Sequence, residues 1–425
     1  MTATPGMLFG DGTLNRVSFL RRDAVFLERA AAPGAGAIVL PLVDGTGFNA
    51  EGAETRPRLA TVSLDGAVDC PGSLREVLRK AVNGGGVAAS IHVVFLGLLP
   101  QGDAFEYRTS RGGVYSGVPH WAVNFESRGN PKVVKLLEES GFERLNMGQV
   151  FELSTGDADV YGQARAYVDW MRKYRYCPSC GGKVKFVEGG GKWVCPTSSS
   201  ATSTGASGTV AGQDGSASAI DSSTSNQTIL GAEGAGDGIE VGPPACSSRA
   251  PNNATFPRTD PVCIVALTTP DRSRLCLVRT QKQFEGRALY SAVAGFIEPG
   301  ETVEVACARE AWEEAGVLIR DPHRNVQIVT SQPWPYPANL MLGCIGTVPF
   351  NGTDEQISMQ HDDELLDAQW FDTEEIAKAV DAYRGGFFLE LAGRDAYLPG
   401  DVAIAHTLIA KVIEEYREGK KGDTA

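Results

Sequence analysis

The chain has 425 residues, a formal net charge of −13 and a pI near 5.0. Two or three domains are expected at roughly 100–200 residues each, and the acidity disfavours nonspecific docking on nucleic acid or anionic membrane. With 42% hydrophobic and 21% charged residues, and no stretch near the roughly 18 apolar residues of a membrane helix, it reads as an ordinary soluble protein without a membrane partner.

The start, MTATPGMLFGDG, lacks a basic region followed by an apolar run, and the end, KKGDTA, is not a peroxisomal Ser-Lys-Leu tripeptide; a cytoplasmic address is expected. Residues 1–155 mix strand-like runs at Ala37–Leu42 and Ile91–Leu98 with a helical pattern at Pro131–Gly141, whose proline suits a first turn. This predicts a mixed α/β domain. From Asp157 to Tyr176 the residues Val160, Ala164, Tyr167, Val168 and Met171 recur at helical spacing, so a helix delivers the chain into Cys177.

Residues 156–260 form a connecting segment. Tyr176-Cys177-Pro-Ser-Cys180-Gly-Gly looks like a zinc knuckle, with glycines permitting the tight turn beneath a metal; a Cys-x-x-Cys pair also suits redox chemistry. Cys195 follows a hairpin expected around Gly189–Gly191, and Cys246 lies beyond a Ser/Thr/Gly/Ala/Asp-rich insert at 197–244 that is too poor in large apolar side chains to order itself. Removing the insert leaves Cys177, Cys180, Cys195 and Cys246 as a four-cysteine zinc ribbon. Cys70, Cys263, Cys276, Cys307 and Cys344 stand singly in apolar or helical contexts and read as small buried residues. No histidine pairs with another at a ligand or triad spacing.

Residues 261–420 read as a second α/β domain, with strands at Val262–Leu267 and Arg274–Val278, a glycine turn, a helix and further strands. Thr302 is a plausible N-cap, Glu304 suits the positive end of the dipole, and Gly316 is a natural stop, giving a helix of about 14 residues. On it Glu310, Glu313 and Glu314 share one face, with Val305, Ala308, Trp312 and Ala315 as an apolar stripe opposite, so the stripe is expected to pack inward and the carboxylates to face out. Two ionised carboxylates about 5 Å apart repel by roughly 0.8 kcal/mol in water and about 3 kcal/mol at an effective dielectric of 20. A hard cation reverses that penalty, and oxygen ligands at this spacing suit Mg²⁺ or Mn²⁺.

The stretch Gly295-Phe-Ile-Glu-Pro-Gly-Glu301, then Arg309-Glu310-Ala-Trp-Glu313-Glu314-Ala-Gly316-Val317, resembles the complete Nudix signature. The resemblance implies metal-dependent diphosphate hydrolysis, with Glu310 and Glu314 as leading metal ligands, Glu313 as ligand or base, and Glu301 with Arg309 as supporting residues. It further implies ligation by the Ala294 carbonyl and by Glu364, in Asp363-Glu364-Leu-Leu-Asp-Ala-Gln-Trp370-Phe371.

Downstream, Ser331-Gln-Pro-Trp-Pro-Tyr-Pro-Ala-Asn339 closely resembles the motif that marks NADH pyrophosphatases within the Nudix superfamily, with Tyr336 and Asn339 where the family usually has Phe and Ser. Prolines alternating with Trp334 and Tyr336 predict a rigid aromatic loop with little entropy left to lose on binding. The resemblance implies that Gln332, Pro333, Trp334, Pro335, Tyr336, Pro337, Ala338 and Asn339 line the nucleotide site, joined by Phe256 and Phe296 as stacking aromatics and by Ala405 through its backbone. It extends to Leu14-Asn15-Arg16, Gln163-Ala164-Arg165 and Pro257-Arg-Thr-Asp-Pro261. Its implications are a Nudix-like N-terminal domain without a catalytic box, a zinc ribbon with structural Zn²⁺, a C-terminal Nudix α/β/α sandwich, and a homodimer. The implied reaction splits NADH or NAD⁺ into (reduced) nicotinamide mononucleotide and AMP, and NAD-capped RNA presents the same diphosphate. Two rival readings are RNA 5′-end decapping as the main task, and a zinc-ribbon binding protein with a silent Nudix domain.

Overall fold

A computed structural model of the chain describes residues 8–10, 12–50, 56–66, 72–84, 90–100, 105–195, 246, 254–284, 286–360, 364–391 and 393–422. The insert expected at 197–244, and Cys70, lie outside these residues. The chain divides into two compact units, one of Met1–Lys173 with Glu188–Gly191 and Pro257–Ala425, the other of Tyr174–Val187 with Lys192–Phe256. Among the described residues, no helix is long and apolar enough to cross a membrane.

In the larger unit the N-terminal part is built on a four-stranded mixed sheet of β1 (Ile38–Val43), β2 (Val62–Ser63), β3 (Ile91–Leu99) and β4 (Val118–Phe125), in the order β2-β1-β4-β3. β1 and β4 run parallel, and both are nearly continuous apolar runs buried along their length, as expected of strands covered on both faces. Phe26, Phe95, Trp121 and Phe125 fill its core together with Leu74 and Leu78 of α1 (Gly72–Gly84) and Leu137 of α2 (Pro131–Glu139). The long helix α3 (Thr155–Lys173) follows; its Asp159 accepts from the backbone of Thr13 at 2.8 Å and its Gln163 donates to the Leu96 carbonyl at 2.8 Å.

In the smaller unit, β5 (Lys185–Val187), β6 (Lys192–Val194) and β7 (Ala254–Thr255) form a three-stranded antiparallel sheet in the order β7-β6-β5. The β5–β6 hairpin turns where the glycines at 189–191 predict it.

The C-terminal part of the larger unit carries a nine-stranded mixed sheet: β8 (Asp260–Thr268), β9 (Arg274–Phe284), β10 (Arg287–Ser291), β11 (Val293–Phe296), β12 (Val326–Trp334), β13 (Asn339–Thr347), β14 (Leu365–Asp372), β15 (Phe388–Glu390) and β16 (Ala396–Pro399). The order is β12-β13-β8-β9-β10-β16-β15, with β11 also pairing β8 and β14 also pairing β9. Along β8 the side chains alternate between two cores. Cys263, Val265 and Leu267 meet Ala306, Cys307, Ala311 and Ala315 of α4 (Val303–Ala315). Ile264 and Ala266 meet Ile376 of α5 (Thr373–Ala382) and Ile404, Leu408 and Val412 of α6 (Ile404–Gly422) on the other face. This is the α/β/α sandwich expected from the sequence. Cys263, Cys276, Cys307 and Cys344 are fully buried, as small core residues.

Two local expectations are corrected. Only half of the apolar stripe assigned to α4 packs: Ala315 is buried and Ala308 lies against the core, but Val305 and Trp312 are 37% and 42% exposed, and Ala306, Cys307, Glu310, Ala311 and Glu314 are buried in their place. Small side chains bring the helix close to the sheet, and two of its carboxylates turn inward with them. The proline segment is the tip of a hairpin rather than a rigid loop throughout. Gln332, Pro333 and Trp334 end the edge strand β12, residues 335–338 make the turn, and Asn339 begins β13. Pro333 is tolerated because an edge strand has one unpaired side.

Candidate functional site

Local chemistry fixes α4. The Thr302 hydroxyl accepts from the Val305 amide at 3.3 Å, capping the first turn, and Gly316 ends the helix at φ +73°, a left-handed conformation that side chains disfavour. A Cβ at Gly316 would also run into the backbone of Ser358.

Arg309 organises the carboxylates. Its Nε and Nη2 donate to the two carboxylate oxygens of Glu301 at 2.7 and 2.9 Å; Nη1 donates to Glu310 and Glu313, each at 2.8 Å, and Nη2 also donates to the Phe296 carbonyl at 2.8 Å. Charge-assisted, bidentate bonds of this kind are the strong ones, so one guanidinium locks the loop 297–302 to the helix and sets three carboxylates. Those bonds hold the Glu301 carboxyl below its ordinary range and raise the Arg309 guanidinium further still, chiefly through Glu301. Glu310 is pushed the other way: burial raises its pKa against the pull of Arg309. Glu310 and Glu314 are 9% and 6% exposed.

Gly295 in β11 completes the pocket, because a Cβ there would occupy the space taken by the Glu310 carboxyl group. Ala294 precedes it, half-buried, and Phe296 follows with its ring 58% exposed. Glu364 is exposed immediately ahead of β14. The donor set is made of hard oxygens in a cradle kept open by a glycine, which fits Mg²⁺ or Mn²⁺.

The hairpin residues lie deeper than a simple aromatic wall. Gln332 is fully buried; its Nε2 donates to the carbonyls of Leu8 and Val402 at 3.1 and 2.9 Å, and its Oε1 accepts from the Ile404 amide at 2.8 Å. Ala405, in the first turn of α6, is thereby drawn beside the motif. Trp334 and Tyr336 pack edge-on to Phe9, with ring centroids 5.9 and 6.3 Å away, and Phe151 lies 5.3 Å from Trp334. Pro335 and Ala338 are buried, Asn339 is half-buried and Pro337 is exposed. Leu8, Phe9 and Phe151 carry no motif-like signal in the sequence, and Arg165 enters it only within a segment of family likeness.

In the smaller unit the four cysteines converge: the sulfurs of Cys177, Cys180, Cys195 and Cys246 all lie within 4.8 Å of one another. Cys177 and Cys246 are 3.9 Å apart and Cys180 and Cys195 are 3.5 Å apart. A tetrahedral site with metal–sulfur bonds of about 2.3 Å places sulfurs about 3.8 Å apart, so the cluster fits a tetrahedral thiophilic ion. The Gly182 amide donates to the Cys180 sulfur at 3.4 Å, and Cys177 and Gly182 bond backbone to backbone at 2.8 Å, closing the knuckle. Phe256 is exposed on this unit, beneath the Lys192 ammonium at 5.6 Å.

Comparison with known proteins agrees with this geometry. Residues 257–390 match the family model described as NUDIX domain. The chain is 34% identical over 426 residues to the NAD-capped RNA hydrolase NPY1 of Saccharomyces cerevisiae, covering 99% of this chain and 98% of that protein. It is 30% identical to the human NAD-capped RNA hydrolase NUDT12 over 62% of this chain and 43% of that protein. With the human mitochondrial NAD(P)H pyrophosphatase NUDT13 it shares 27% identity over 63% of this chain and 58% of that protein. The chain therefore belongs to the NADH pyrophosphatase-type family of Nudix hydrolases.

Proposed function

We propose that the chain hydrolyses the diphosphate of NADH and NAD⁺ to (reduced) nicotinamide mononucleotide and AMP, and removes NAD caps from RNA by the same reaction. The observation that carries this is the Arg309 network, which holds Glu301, Glu310 and Glu313 in fixed orientations and ties them to the Phe296 carbonyl. Relatives named as NAD-capped RNA hydrolases and an NAD(P)H pyrophosphatase support the substrate class.

Water adds to one phosphorus as the bridging P–O bond breaks, and the bridging oxygen leaves on the other phosphate. Glu310, Glu313 and Glu314 would hold Mg²⁺ or Mn²⁺ with Glu364 and the Ala294 carbonyl. Such an ion, when bound, offsets diphosphate charge and acidifies water. Glu313, half-exposed beside the guanidinium, accepts the proton of the attacking water. Phe296 offers a face for a base or nicotinamide ring to stack on, with the Gln332–Asn339 hairpin completing the nucleotide site together with the Ala405 backbone. The same reading carries structural Zn²⁺ on the four cysteines, a homodimer, a cytoplasmic address, and domain limits of 1–155, 156–260 and 261–420.

Purified protein with Mg²⁺ or Mn²⁺ is expected to convert NADH into reduced nicotinamide mononucleotide and AMP, and NAD-capped RNA is expected to release nicotinamide mononucleotide. Chromatography that finds no AMP from NADH with either metal rejects the reading; activity confined to capped RNA would make decapping the main task. A silent domain is disfavoured because the Arg309 network is complete.

Gly295→Ala tests the cradle. The new methyl displaces the Glu310 carboxyl without removing it, so NADH turnover is expected to fall about tenfold, the scale of disturbed metal-site support. Turnover equal to wild type would separate Gly295 from the chemistry.

A further inference from the structure

The substrate-selecting hairpin is gripped by residues far from the Nudix signature. Arg165, on α3, donates from Nε to the Pro335 carbonyl at 2.8 Å and from Nη1 to the Gly45 carbonyl at 2.8 Å, and its guanidinium carbon stands 4.7 Å above the centre of the Tyr336 ring. The neighbouring N-terminal segment reinforces the grip: the Leu8 carbonyl accepts from Gln332, and Phe9 packs edge-on to Trp334 and Tyr336. α3 is anchored separately through Asp159 and Gln163, so Arg165 is a side chain that a fixed helix extends to the turn.

We propose that Arg165 is a positioning residue that holds the 335–338 turn in its nucleotide-binding form, making the N-terminal region a working part of the substrate site. This rests on the functional reading above. Pro335 lies in the turn beyond the last ladder pair, Trp334 with Asn339, and Arg165 satisfies its carbonyl with a charged donor. The same guanidinium covers the aromatic face of the next residue, a cation–π contact that Tyr336 supplies. Without it the turn would have to be ordered by each incoming nucleotide, and that entropy would be subtracted from binding. The carboxylates on α4 are held by a different arginine, so the chemical step should be spared.

Arg165→Ala is therefore expected to raise the KM for NADH about tenfold while kcat stays within about threefold of wild type. Arg165→Lys should recover part of the loss, because an ammonium can still sit over the ring and donate to one carbonyl, though without the fixed fork that lets the guanidinium hold those of Pro335 and Gly45 together. Hydrogen–deuterium exchange supplies a readout independent of turnover: amides in the 332–346 peptide should exchange faster in Arg165→Ala while those of α4 do not change. Unchanged exchange in that peptide, or an unchanged KM, overturns the proposal, as does a fall in kcat with KM unaltered. A wild-type protein inert on NADH would sink the functional reading instead, and the exchange experiment would still report on the grip.

Discussion

Glu314→Gln is expected to lower kcat for NADH hydrolysis by at least about 10²-fold, with the fold intact. Glutamine has the same shape and removes one charge, and the residue is buried on the face of α4 that packs toward the sheet. The variant keeps the shape and packing of the side chain, so its melting temperature without metal is expected to stay within a few degrees of wild type. Lower activity at an unchanged metal-free melting temperature marks a loss of chemistry and not of fold. Glu310→Gln should lose activity similarly but also weaken one Arg309 bond by removing its charge, so its melting temperature is the less clean readout. Turnover of Glu314→Gln within a few-fold of wild type, measured with saturating Mg²⁺ and with Mn²⁺, would falsify its assignment as a ligand.

The contrast between α4 and the hairpin shows what a linear sequence carries. The ends of α4 are written locally, in Thr302 and Gly316, and the structure keeps both. Its buried face is not, because amphipathic reasoning sends carboxylates to solvent and Trp312 to the core. Here the rule is inverted, and the inversion falls at the residues to which the proposed chemistry is assigned. Alternation along β8 is equally local, and it places Cys263 and Ile264 on opposite cores as the period of two requires.

The environment of the hairpin was not legible for a different reason. The partners of Gln332 and Pro335 are 324 and 170 residues away in the chain, and nothing in the spacing of Leu8, Phe9 or Arg165 announces that they meet. Prolines 333, 335 and 337 predict rigidity, but rigidity alone does not distinguish a separate loop from the tip of an edge hairpin. The four cysteines were readable despite their separation because ligand chemistry, unlike packing, restricts which residues can converge.

Cys246→Ser is expected to remove most of the bound zinc and to loosen the smaller unit, while wild type carries one zinc ion per chain. Serine is a poor replacement for a thiolate at a tetrahedral soft site, and the Cys246 sulfur is buried 3.9 Å from that of Cys177. The 50 residues between Cys195 and Cys246 raise an entropic objection, since closing so long a loop costs roughly 2 kcal/mol more than closing one of about five residues. Structural zinc outweighs that several times over, at apparent binding free energies of about 10–16 kcal/mol. A redox role for Cys177 and Cys180 predicts a different result. It would pair the two cysteines of the Cys-x-x-Cys motif, whereas the 3.5 Å approach in this structure joins Cys180 to Cys195. Elemental analysis combined with thiol titration separates the two: a zinc site shields all four thiols until a chelator is added, and Cys246→Ser then loses both the metal and the shielding. Full zinc content in Cys246→Ser would exclude Cys246 as the fourth ligand, and a Cys177–Cys180 disulfide in the purified protein would replace the zinc site with redox chemistry.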